Sequence, residues 1–180
     1  MSWIFLAISS HFFWAISNIG DKYIVGHRVK NPYVYLVWFT ITGVTVSLIV
    51  PFIDFYLPSI NILLYLVLAS ALYFFGGLPY IKAMQIEEPT RINVWWSLIP
   101  IFSLIIGWVF LGEKFTQSQI IAFSLLVLGA FAVSAHARGK KLVFSRAVWY
   151  MVIACLSFAL YAIIFRYCTR FISFTNGFVW

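Results

Sequence analysis

The stretch Leu98–Phe115 reads LIPIFSLIIGWVFLGEKF. It is apolar enough for a bilayer, carries Pro100 near its start, and stops at once on Gly112-Glu113-Lys114. An interior proline removes one backbone donor and crowds the carbonyl four residues back. Inside a bundle, neighbouring helices can satisfy the freed carbonyl, so Pro100 predicts a kink in a membrane helix, a feature that often lines a cavity. Ser97 and Ser103 flank it and can assist. The stop is turn chemistry. Gly112 suits the left-handed cap that follows a last helical turn. Thr116 and Gln119 have the spacing of a capping box that opens the next helix. Glu113 and Lys114 fall at the membrane interface as solvated turn residues, with a coupling or gating carboxylate as the alternative role for Glu113.

The rest of the chain agrees with a membrane solvent. Of 180 residues, 63% are hydrophobic and 9% charged, against about a quarter charged in a soluble domain. This defines an all-α, polytopic helical membrane protein. The first 20 residues hold no Lys or Arg, so the basic start of a cleavable signal peptide is missing and the first helix is expected to remain as an anchor. The net charge of +7 is explained by Lys and Arg lying between apolar spans, not by nucleic acid. Cys155 and Cys168 share one expected helix, roughly 20 Å apart, and neither bridge each other nor carry metal-ligand spacing. No cofactor is expected.

Six apolar segments can be drawn: Ser2–Val25, Tyr33–Ile53, Ile60–Ala83, Ile92–Leu111, Gln117–Ala135 and Ala147–Cys168. Short connections make neighbours antiparallel. Asn31-Pro32, Pro51, Asp54, Pro58-Ser59 and Glu87-Glu88-Pro89-Thr90 punctuate them, and Arg138-Gly139-Lys140-Lys141 separates the last two. Eight basic residues lie in the loops after spans one, three and five, and three lie on the opposite side, which predicts an external N-terminus.

Polar groups inside a membrane avoid lipid and face the bundle interior or a wet cavity. Span one carries Ser10, Trp14, Ser17 or Asn18, and Asp21 on one helical face; span four carries Asn93, Ser97, Pro100 and Gly107; span two carries Thr40, Gly43 and Ser47. These stripes fit either a central polar pathway or interhelical hydrogen bonds that hold the bundle together. Span five repeats Ser118, Ala122, Leu126, Ala130 and Ser134 every four positions, with Gly129 adjoining, a mostly small-residue packing ridge. In span three, Gly76, Gly77 and Pro79 predict a break or bend, a feature that in transporters marks a substrate site. The Asp21-Lys22 pair reads as a surface salt bridge or as a substrate or proton site.

An internal echo is present. Ser10, Trp14, Ala15 and Ile16 correspond to Ser157, Tyr161, Ala162 and Ile163, and Asn31–Tyr35 to Asn176–Trp180, at offsets of 147 and 145. Span six then restarts the pattern of span one. A five-helix unit over residues 2–135, a basic linker over 136–146 and the start of a second unit over 147–180 follow. Five is odd, so the second unit would be inverted. Asn176–Trp180 looks like a helix start, and the sequence is expected to be an incomplete version of a longer architecture.

The segment Ala83–Ser134 resembles the EamA domain of the drug/metabolite transporter superfamily. Ala83-Met84, Pro89, Leu98-Ile-Pro100, Phe110-Leu-Gly112-Glu113-Lys114 and Leu128-Gly129-Ala130 carry the resemblance, with Trp14-Ala15 and Asp21-Lys22 in span one. The resemblance implies ten helices in two inverted repeats and transport of small metabolites, amino acids, nucleotide sugars or drugs, often outward and driven by an ion gradient. Here about six helices are present, and span one lacks the midplane Glu of the small multidrug branch, which disfavours a proton-coupled cation exporter of that kind. The expected function is a secondary transporter, an exporter of small metabolites across the cell membrane by alternating access. The alternative is a non-transporting membrane module that assembles with a second copy or a complementary subunit. Trp14, Asn18, Tyr80, Asn93 and Trp96 are expected to line a cavity formed by spans one, three and four, with Lys22 as a charge partner. An enzyme is disfavoured, because no Ser/His/Asp set, His-Glu-x-x-His motif or paired midplane aspartates occur.

Overall fold

The computed structural model describes residues 3–112, 114–134, 136–138, 141–143 and 145–180. Helix α1 covers Trp3–Tyr23 and continues through a π-helical turn over Ile24–Arg28. Helix α2, Pro32–Gly43, starts on Asn31, whose side chain accepts from the Tyr33 amide at 3.0 Å while Pro32 occupies the first turn. It tightens into a 3₁₀ segment over Val44–Phe52. The cause is local. Pro51 lies inside the segment, and the Thr42, Thr45 and Ser47 hydroxyls each donate to the carbonyl three residues back.

Helix α3 runs unbroken over Ile60–Ile86, straight through Gly76, Gly77 and Pro79. No break occurs there, and the glycines serve helix contact. A Cβ on Gly76 would lie 2.9 Å from Ser157 Cβ, and one on Gly77 would lie 2.8 Å from Leu36 Cδ1. Small residues let helices approach closely in a bilayer.

The fourth span consists of two helices, α4 (Pro89–Trp95) and α5 (Leu98–Leu111). Their junction lies one turn before Pro100. The Trp96 carbonyl, denied an amide by Pro100, accepts from Ile99 at 3.0 Å, and Ser97 donates to Val94 O through both its amide and its hydroxyl. Helix α5 ends on Gly112 at φ 64°, the left-handed cap. Glu113 lies outside the described residues. Helix α6, Gln117–Ser134, opens with a reciprocal capping box: Thr116 N donates to Gln119 Oε1 at 2.9 Å, and Gln119 N to Thr116 Oγ1 at 3.4 Å. Strands β1 (His136–Arg138) and β2 (Lys141–Val143) pair antiparallel in the basic linker. Helix α7, Arg146–Cys168, is capped by Ser145, and α8, Phe174–Val179, by Ser173, so the last helix starts two residues before Asn176.

Among the described residues, five helical segments are long and apolar enough to cross a membrane: Trp3–Arg28, Pro32–Phe52, Ile60–Ile86, Pro89–Val109 and Arg146–Cys168. Gln117–Gly129 adds a shorter apolar helix where the fifth of six spans was expected. The protein is thus a polytopic, multi-pass helical membrane protein, and exposed Trp3, Phe5, Phe12 and Phe13 on α1 suit contact with lipid.

The dominant helix pair is α3 with α7, and α5 packs beside it on α7. Buried clusters lie toward both ends. Ala83, Met84, Ile92 and Met151 cluster near the end of α3, where Val25, Tyr35, Leu36 and Ile81 form a second group. Ile62, Leu66, Cys168 and Ile172 hold the opposite end. The small-residue ridge of α6 does not engage a neighbour at Gly129, where a Cβ would meet nothing within 4 Å.

Candidate functional site

Between these clusters lies a cavity of about 1110 Å³. Its lining along α2 runs from Tyr35 to Ser47, a length of roughly 18–20 Å. Thr40, Gly43 and Ser47, the stripe of span two, face it. A second cavity of about 550 Å³ lies between α1 and the α4–α5 junction, lined by His11, Trp14, Asn18, Asn93, Trp96 and Pro100 among others.

A polar network ties α1 to the rest. Asn18 is 3% exposed, the one buried residue of α1. Its amide donates to Asn93 Oδ1 at 2.8 Å, and Tyr80 donates to Asn18 Oδ1 at 3.0 Å. One turn further along α1, the Tyr35 hydroxyl donates to Asp21 Oδ1, and Tyr80 faces the same carboxylate. Buried polar groups of this kind carry hydrogen bonds because an unmet one costs about 1–3 kcal/mol.

An aromatic cluster forms the wall above the network. Trp96 is its centre, with ring centroids 5.8 Å from Trp14, 5.1 Å from Tyr80 and 5.1 Å from Phe158. The α4–α5 junction aims this ring inward. Its buried indole N–H has no hydrogen-bond partner among the described residues. Tyr73 continues the wall, edge-on to both Phe158 and Tyr161 at 5.1 Å.

Trp14, Asn18, Tyr80 and Trp96 line the large cavity, and Asn93 lines the smaller one behind them. Lys22 does not join them. Neighbouring residues on a helix point about 100° apart, and Lys22 turns to the end of α3, where Nζ donates to Met84 O at 2.7 Å and Glu87 O at 2.8 Å. No Asp21–Lys22 salt bridge therefore forms. Gly77 lines the large cavity, Pro100 the small one, and Gly76 packs against α7. The sequence-based set omits Asp21, Tyr35, Tyr73, Phe158 and Tyr161, all of which line the large cavity. The signal for α7 was available: Phe158, Tyr161 and Phe165 recur at helical spacing on one face.

The chain is thus a helical membrane bundle with an aromatic-walled cavity between its spans. Residues 1–135 match the EamA-like transporter family, and the chain belongs to that family. No curated protein and no solved structure matches the chain.

Proposed function

We propose that the chain is a secondary transporter that exports small metabolites by alternating access. The large cavity carries this reading: about 1110 Å³, just above the usual range for small-molecule sites, with apolar walls and a few convergent polar groups. Trp14, Asn18, Tyr80 and Trp96 supply the wall and the orienting hydrogen bonds, with Asn93 behind Asn18. The break at Trp96-Ser97 gives α4 and α5 a joint at the wall, where a rocking motion changes access. Residues 2–135 act as one five-helix unit and 147–180 restart its pattern. The placement of Trp14 and its counterpart Tyr161 on the same cavity supports this.

The test is counterflow. Proteoliposomes holding the purified chain are loaded with an unlabelled small-molecule extract and exposed to a labelled one, and accumulated compounds are identified by mass spectrometry. Accumulation above protein-free vesicles, lowered by Asn18→Ala and Asn93→Ala, is the expected result. No accumulation, together with co-purification of a second copy or a complementary membrane subunit, would favour the assembly-module alternative.

A further inference from the structure

We infer that the large cavity takes a monovalent organic ammonium with an apolar or aromatic body, held by the Asp21 carboxylate as its counter-ion. This substrate class rests on the transporter reading above. Asp21 is the charged side chain among the residues that line the cavity. The neighbouring cation, Lys22, is engaged by the Met84 and Glu87 carbonyls. A carboxylate accepts at about four lone-pair sites, and the Tyr35 hydroxyl takes one on Oδ1. Capacity for a charged donor remains on a group that is costly to keep in a membrane without one.

The walls match the same ligand. Tyr35, Tyr73, Tyr80, Trp96 and Tyr161 present rings to the cavity, and ring faces attract cations, most strongly where water is excluded. One turn beyond Asp21 along α1, Val25 packs with Tyr35, Leu36 and Ile81, so the ammonium end seats against a closed floor. An anion meets a carboxylate at that floor and is rejected. A neutral molecule of the same shape fits the walls but gains nothing from Asp21.

The experiment is scintillation-proximity binding of tritiated phenethylammonium to the purified full chain in detergent at neutral pH. Unlabelled phenethylammonium should displace the label, whereas 2-phenylethanol and 3-phenylpropionate should fail to do so at the same concentration. Asp21→Asn should weaken binding by roughly tenfold or more, and Asp21→Glu should retain most of it. The inference is overturned if the label does not bind, if the alcohol or the acid displaces it equally well, or if Asp21→Asn binds it unchanged. Should Asp21→Asn fail to purify as a monodisperse species, the displacement series on the wild-type chain decides by itself. Counterflow separates the two readings. Binding without flux leaves the ammonium site standing and removes transport, whereas flux of uncharged or anionic compounds alone leaves transport standing and removes the site.

Discussion

The Asn18 amide donates to Asn93 Oδ1 at 2.8 Å, joining α1 to α4 through the one buried residue of α1. Two helices that otherwise touch sparingly are held by a hydrogen bond formed away from water. Measured worth for such bonds in membrane proteins is about 0.6 kcal/mol, reaching about 1.7. A double-mutant cycle of Asn18→Ala and Asn93→Ala should return a coupling in that range, read from thermal unfolding in detergent. Each single change should also loosen α1, visible as faster proteolysis in its last turns. Zero coupling would mean that the two amides do not meet.

Gly76 and Gly20 should respond in opposite directions to alanine. At Gly76 the added carbon lies 2.9 Å from Ser157 Cβ, which the α7 backbone fixes in place; at Gly20 it meets nothing within 4 Å. Gly76→Ala should lower stability by about 1–3 kcal/mol through forced separation of α3 and α7. Gly20→Ala should leave stability unchanged or raise it by up to about 1 kcal/mol, since alanine favours the helix. Gly77→Ala should fall between them, because the Leu36 Cδ1 it meets is the end of a flexible side chain. Melting temperatures of the three variants decide the order.

Lys22→Met should act on the end of α3 rather than on ligand binding. Two carbonyls, Met84 and Glu87, lose their donor. With Lys22 only half-buried, the cost is about 1 kcal/mol. Amide exchange over residues 84–88 should accelerate, while affinity for a cavity ligand changes little. A large loss of affinity with unchanged exchange would restore Lys22 to the cavity.

Pro100→Ala should return a donor to the Trp96 carbonyl, which now bonds to Ile99 three residues on. The α4–α5 junction should close into continuous helix, slowing exchange at residues 97–100. If the junction serves as a joint, counterflow should fall although stability rises. Unchanged exchange would show that the break has another cause.

The legible parts of the fold were those written in local chemistry. Gly112, Thr116 and Gln119 announced a left-handed cap and a capping box, and both formed. Asn18 and Asn93 announced themselves as polar groups with nowhere to go in lipid, and they found each other. Gly76 and Gly77 were ambiguous, because a glycine gives the same signal whether it loosens a helix or admits a neighbour, and only the neighbour, Ser157 or Leu36, separates the cases. Lys22 misled because its stem is long enough to choose between the cavity and the end of α3. Asp21 lay on the recognised stripe, but its role required Tyr35 from another helix, a contact that periodicity along one helix does not contain.

The Asn176 side chain donates to Asp54 O at 2.8 Å and accepts from Tyr56 N at 3.2 Å, and the Trp180 indole donates to Tyr56 O at 3.1 Å. These bonds fasten the α2–α3 loop through its main chain, across 120 to 124 residues of sequence. Timing follows from that distance. A chain made from its N-terminus inserts α2 and α3 long before Asn176 exists, so the loop between them waits unfastened through the making of four more helices. Contacts so remote in sequence close late, and this corner of the bundle is set only once residues 176–180 have been made. Phe55 adds its ring to the closure, stacked on the Trp180 indole at 5.1 Å, so the loop is held by its backbone path and by one aromatic side chain.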